Sequence, residues 1–154
     1  YFHLELEAKG KPDVEVNVFA DGTLVEGILP DGVIGENSLP AAVLAAFVEK
    51  YPNLHVKEWE VERGLIKAEF LMPDGTETEA YFDMKGSWVR TEFDFKGSLP
   101  EAVMSYIVSN YPDYKVDDAN YVQTPLGDYY ELELEKNGRP DVYLNICEDA
   151  TLWK

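Results

Sequence analysis

Residues 38–56 read SLPAAVLAAFVEKYPNLHV and residues 98–116 read SLPEAVMSYIVSNYPDYKV, with 9 identities in 19 positions. Each copy reads as one helix. Ser38 offers a capping acceptor, and Pro40 falls in the first turn, where its missing N–H costs nothing. Leu39, Val43, Phe47 and Tyr51 recur every four residues and so share one helix face. Leu99, Val103, Ile107 and Tyr111 repeat that face in the second copy. Pro52 and Pro112 stop the helices. Helices are therefore predicted over 39–51 and 99–111.

A second repeat surrounds the first. Residues 1–26 align without gaps on residues 129–154, with 13 identities in 26 positions. The segment 65–90 fits the same pattern at half that offset, with Glu69 answering Glu5 and Glu133. The helical copies lie 60 apart and the strand copies 64 apart, so the second unit carries about four extra residues, expected in the Gln123–Gly127 loop. The chain then divides into a partial unit at 1–37 with three strands and no helix, a full unit at 38–97, and a full unit at 98–154, packed as one domain.

Strand signals fill the rest of each unit. Leu4-Glu5-Leu6-Glu7 and Leu132-Glu133-Leu134-Glu135 alternate with period two, the mark of a half-buried strand. Lys9-Gly10-Lys11-Pro12 and Asn137-Gly138-Arg139-Pro140 read as hairpin turns. The first full unit is expected to place strands at 55–63, 65–72, 76–84 and 88–95. The fold class is α+β: tandem repeats of a helix plus a four-stranded antiparallel meander, in two layers, with helices on one face of a curved sheet. Pleat then assigns the side chains. Leu4, Leu6, Val14, Val16 and Val18 face the helices. Lys67, Glu69, Glu79 and Tyr81 point outward in the middle unit, as do Glu131, Glu133, Tyr143 and Asn145 in the last. Trp88 and Arg90, two apart, are expected on that outer face as well, whereas Phe47 and Trp59 belong to the core.

Composition narrows the functional classes. The 154 residues carry a formal net charge of −17, from 30 acidic and 13 basic side chains. Such a surface repels phosphate backbones and anionic lipid, which argues against nucleic acid and membrane docking and favours basic partners or cations. The hydrophobic fraction of 45% suffices for a core. No apolar run is long enough to insert in a membrane. One cysteine, Cys147, permits no internal disulfide. The chain opens directly in a strand pattern without an initiator Met, so the expectation is that the gene starts earlier and a leader has been removed.

The residues hold no recognisable chemistry. His3 aligns with Glu131 and His55 with Lys115, exchanges that suit solvated surface positions. Cys147 aligns with Phe19 and Asp83 and reads as an incidental thiol. One Cys and two scattered His do not make a zinc site. Asp117-Asp118, Asp13 and Asp141 lack calcium-loop spacing and read as solvated turns. No catalytic residue, metal site or cofactor is expected. Large rings beside charges suit a binding surface. The contact candidates are Tyr81, Trp88, Arg90, Tyr143, Glu69 and Glu133.

The order Leu-Pro-x-x-Val…Tyr-Pro, then Trp59, then Glu-rich alternating strands, then Tyr81-Phe82-Asp83…Gly86-x-Trp88, resembles the PepSY-like family of secreted Bacteroides-type proteins. The resemblance covers 38–154 twice over, with 1–37 as a partial copy. It implies a fold like the beta-lactamase inhibitor protein, and a periplasmic or cell-surface location. It brings no catalytic motif, and related PepSY domains suggest restraint of proteases. The expected function is a non-enzymatic binding module for a protein or peptide, inhibitory toward a protein partner. The alternative is a small-ligand or cation carrier using the acidic face. The apolar side of 1–37 must be covered within a monomer or by a second chain, which leaves monomer and dimer both open.

Overall fold

The structure, a computed structural model, describes residues 31–154 together with the backbone of two strands before them. Those two strands, β1 (Phe2–Leu6) and β2 (Val14–Val18), pair antiparallel as a two-stranded sheet of their own, with Leu4 opposite Val16. The inward assignment of their side chains lies outside the described residues.

The larger sheet has eight antiparallel strands in the order β10-β9-β8-β7-β6-β5-β4-β3. They are β3 (Gly32–Val33), β4 (Val56–Glu62), β5 (Leu65–Leu71), β6 (Glu77–Phe82), β7 (Trp88–Asp94), β8 (Lys115–Thr124), β9 (Gly127–Glu135) and β10 (Val142–Ile146). Within this sheet every strand neighbours its successor in sequence, across short turns and across the two helix connections alike. Helix α1 (Ala41–Lys50) precedes β4, and α2 (Glu101–Asn110) precedes β8.

Both helices begin two residues later than their sequence signal. Pro40 and Pro100 occupy the N-cap positions, and neither helix has a side-chain capping bond. Ser38 instead ends a 3-10 turn over Glu36–Ser38, so its expected capping role is not realised. The proline supplies the first carbonyl: Val43 N–H donates to Pro40 O at 3.0 Å, and Met104 N–H donates to Pro100 O at 3.0 Å.

Two apolar clusters form the core. The first joins Val43, Phe47 and Tyr51 of the α1 segment to Trp59, Ile66, Ala68, Phe70, Ala80 and Phe82 of the strands. Phe47 is its hub, edge-on to Trp59 at 5.4 Å and to Phe70 at 5.1 Å between ring centroids. Edge-to-face rings add favourable quadrupole contacts to their buried area. The second joins Val103 and Ile107 of α2 to Ala119, Leu132, Leu134, Leu144 and Ile146. The core assignments of Phe47 and Trp59 match their burial, at 2% and 5% exposed.

Local geometry recurs at the sequence offsets. Register slips fall between Val56 and Glu58 in β4 and between Val116 and Asp118 in β8. Asn53 and Asp113 both adopt positive φ, at 64° and 69°. Asp83 N–H donates to Ser87 O at 2.9 Å, and Cys147 N–H donates to Thr151 O at 2.8 Å. The four extra residues of the second unit do not make a loop. Gln123 pairs with Asp128 and Thr124 with Gly127, so they lengthen the β8–β9 hairpin instead.

Candidate functional site

Two cross-strand rows define the side of the sheet that carries most contact candidates. Glu58, Glu69, Glu79 and Glu92 stand opposite one another across β4, β5, β6 and β7. Two residues along, Glu60, Lys67, Tyr81 and Arg90 form the next row. Because side chains alternate with period two, both rows project to the same side. The register carries that side onward: Glu92 opposes Val122, which opposes Tyr129, while Asp118 opposes Glu133, which opposes Tyr143.

Carboxylates directly opposite on adjacent strands repel. Cations offset part of that cost here. Lys57 Nζ lies 2.8 Å from Glu69 Oε1. Lys67 Nζ bridges Glu60 at 2.7 Å and Glu79 at 3.6 Å. Arg90 Nε donates to Glu92. The tyrosines also donate to this face, Tyr81 Oη to Glu79 Oε2 at 2.8 Å and Tyr143 Oη to Glu133 Oε1 at 2.9 Å. A shallow acidic depression of about 390 Å³ lies among Glu69, Glu77, Glu79, Glu92, Asp94 and Asp118.

Burial raises the Glu92 carboxyl above its ordinary range, with Glu131 and Glu79 adding to the rise and Arg90 opposing it. Burial likewise pushes the Tyr81 hydroxyl well up, and Glu92 and Glu79 reinforce it. Hydrogen bonding to Glu133 raises the Tyr143 hydroxyl. On this face Glu58, Glu60, Glu69, Glu79, Glu92 and Glu133 outnumber Lys57, Lys67 and Arg90.

The contact candidates divide. Glu69 and Glu133 are half-buried on this side, and Tyr143 is exposed at 70%. Arg90 is half-buried beside them. Tyr81 reaches the expected side but is only 4% exposed, because the Arg90 guanidinium lies over its ring at 3.8 Å. Its ring is covered, so Arg90 is the group presented there. Trp88 is not on this side. A slip between Tyr81 and Phe82 sets Phe82 opposite Trp88 while Tyr81 opposes Arg90. One extra residue in β7 reverses the side of everything before it. Trp88 thus packs against the first core cluster, its Nε1 donating to Thr91 Oγ1 at 2.9 Å and Lys50 Nζ 3.6 Å from its ring.

Sequence reading missed two residues of this surface. Glu92 shares Arg90's parity, which was the available signal. Trp153 stacks on Tyr129 at 4.9 Å and 20°, with its backbone N–H donating to Asn145 O, and so roofs one end of the face. Its counterpart in the partial unit is Val25, which gave no hint of the ring.

Among the described residues no cluster of three His, Cys, Asp or Glu side chains could hold a metal ion. His55 is exposed and Cys147 is a free, half-buried thiol. No helix among the described residues is long and apolar enough to cross a membrane.

An eight-stranded antiparallel sheet with two helices is the α+β, BLIP-like architecture. Residues 67–154 match the family described as "Putative beta-lactamase-inhibitor-like, PepSY-like", and the chain belongs to that family. Solved structures agree. A BLIP-like protein from Bacteroides fragilis is 26% identical, with a TM-score of 0.64 over 83% of this chain and 86% of that one. A DUF2874 family protein from Bacteroides uniformis is 25% identical, with a TM-score of 0.67 over 75% of this chain and 86% of that one. One of the "putative periplasmic proteins" of Bacteroides eggerthii shares the fold at 21% identity, with a TM-score of 0.67 over 75% of this chain and 86% of that one. No curated protein matches the chain.

Proposed function

We propose that this chain is a non-enzymatic, exported binding module that uses the acidic side of its sheet to hold a basic segment of a protein or peptide, and that such capture inhibits the partner. The carrying observation is the carboxylate row Glu58–Glu69–Glu79–Glu92, opposed strand to strand. Folding alone gives no reason to set like charges opposite one another, and local rules broken without structural gain point to function. Arg90 and Tyr143 supply a stacking cation and an exposed ring at the margins, the residue types that anchor interfaces.

The architecture behind this reading is a tandem repeat, with a partial unit at 1–37 and full units at 38–97 and 98–154. The matched slips, positive φ residues and turn bonds support it. Both helices then lie on the opposite side of the sheet from the carboxylates. Support comes from the register: Ala68, Ala80, Thr91 and Gln123 stand in one row. Ala68 and Ala80 belong to the α1 core, and Gln123 shares its pleat side with Ala119 of the α2 core. The side facing away is left for a partner. Export to the periplasm fits the description of the Bacteroides eggerthii neighbour.

Isothermal titration with a lysine- and arginine-rich peptide tests the reading. Binding should weaken with added salt and weaken again in the double variant Glu79→Gln/Glu92→Gln. Heat of binding to calcium in place of the peptide, or peptide binding indifferent to both the salt and the variant, would reject it.

A further inference from the structure

The α2 unit contains a cavity of about 650 Å³, walled by Phe95, Leu99, Met104, Ile107, Val108 and Ala119. Its origin lies in a difference between the two units. Ile34 N–H donates to Trp59 O at 2.9 Å, and Phe95 N–H donates to Ala119 O at 2.9 Å. The register slips just before Trp59 and just before Ala119 are also matched. Ala119 therefore stands where Trp59 stands, and Ile107 where Phe47 stands. In the α1 unit the indole fills this space, edge-on to Phe47 and 5% exposed. In the α2 unit two large rings are replaced by a methyl and a branched aliphatic side chain, and Phe95 and Tyr114, which stand where Ile34 and Leu54 stand, wall the space that remains.

Apolar lining left open to water is surface that a guest can remove from water, which favours binding. The cavity's volume lies within the range of ligand pockets, which run from about 300 to 1,000 Å³. Its mouth opens past Met104 and Val108, which are 42% and 68% exposed. Phe95 offers a ring and Met104 a polarisable thioether, both suited to an aromatic guest. Lys96, Lys115, Asp117 and Asp118 surround the opening with charges of both signs.

We infer that this cavity is a binding site for a planar bicyclic aromatic ring of indole size, seated where the other unit carries its own tryptophan. The site lies beside α2 and shares only Lys96 and Asp118, at its rim, with the acidic depression, and its test by an uncharged ring stands or falls apart from the basic-partner reading. The ring could arrive as a free small molecule or as a tryptophan side chain of a peptide.

The test is an NMR titration of the full chain with indole, and separately with the capped tripeptide Gly-Trp-Gly. Saturable shifts confined to Leu99, Met104, Ile107, Val108 and Ala119 are expected from at least one. Saturation by indole assigns a small molecule, and saturation by the tripeptide alone assigns a side chain. Ala119→Trp should fill the cavity and abolish the shifts. Val108→Glu, at an exposed helix position that folding tolerates, should also abolish them, which covers the case in which the larger substitution fails to fold. Absence of saturation by both probes, or equal shifts in a folded Ala119→Trp or Val108→Glu chain, overturns the inference.

Discussion

The guanidinium of Arg90 lies over the ring of Tyr81, with its central carbon 3.8 Å from the ring centroid. The same side chain donates from Nε to Glu92. One residue thus covers an aromatic ring and holds a half-buried carboxylate. Arg90→Ala should destabilise the chain by about 1–3 kcal/mol, since it uncovers the ring and leaves Glu92 without its cation. Arg90→Lys should recover only part of this, because an ammonium cannot stack and fork as a guanidinium does. Urea unfolding of the three chains measures the order. Arg90→Ala within about 0.5 kcal/mol of the parent would mean that the stack is ornamental.

Thr91 is fully buried, and its hydroxyl serves two rings. Trp88 Nε1 donates to it at 2.9 Å, and it shares a hydrogen bond with Tyr51 Oη. A β-branched hydroxyl in the middle of β7 thereby ties the sheet to the end of α1. Thr91→Val keeps the shape and strands both partners, at an expected cost of about 1–3 kcal/mol for each buried group left unpaired. Thr91→Ser keeps the hydroxyl and should lose less. Thermal denaturation followed by Trp fluorescence would check both. A Val variant as stable as the Ser variant would show that water replaces the hydroxyl.

These two residues mark where sequence reading stops. Period-four and period-two patterns located α1, α2 and the strands β4 to β7 to within one or two residues. They also assigned Glu69, Glu133 and Tyr143 to their side, because pleat direction survives wherever pairing is regular. Trp88 was misassigned because parity holds only until a bulge, and the slip in β7 leaves no mark in residue types. The cover over Tyr81 was illegible for another reason. It depends on a side chain from the neighbouring strand, and no spacing within one strand reports it. The cavity beside α2 falls between these cases. The offset of 60 already sets Ala119 against Trp59, but only the packing around them turns that difference into empty space.

Gly86 and Ala150 occupy matching turns, and exchanging Gly and Ala should matter far more at the first than at the second. Gly86 N–H donates to Asp83 O at 3.0 Å and Ala150 N–H to Cys147 O at 2.9 Å, with φ of 84° and 67°. A Cβ on Gly86 would lie 2.5 Å from the Ala42 carbonyl oxygen in α1. Gly86→Ala therefore adds left-handed strain to a clash with helix backbone, and should cost more than about 2 kcal/mol. Ala150→Gly relieves the strain but gives up a methyl packed on the second core cluster and loosens the unfolded chain, so a net change within about 1 kcal/mol of the parent is expected. Paired unfolding curves test the contrast. A tolerated Gly86→Ala would mean that the turn and α1 can separate without loss.

Stability should respond to acid through carboxyls of opposite sign. Burial raises the Glu92 pKa above its ordinary 4.5, against the pull of Arg90. The folded chain then binds that proton more readily than the unfolded chain. The Glu92 contribution is present in full below 4.5 and is lost as pH rises through the raised value. The turn aspartates act the other way. Burial alone would raise Asp83, but the N–H groups of Ser87 and Lys85 outweigh it and hold the carboxyl below its ordinary 3.8. Hydrogen bonds from Thr151 lower Asp149 in the same manner. Their contribution is present above 3.8 and is lost as pH falls through the lowered values. Glu92→Gln should therefore flatten the decline on the rising side, and Asp83→Asn should flatten the loss at the acid end. Urea midpoints across roughly pH 2.5 to 7 give both difference curves. A Glu92→Gln difference that does not vary with pH would show that Glu92 ionises on its sheet as freely as it does in the unfolded chain.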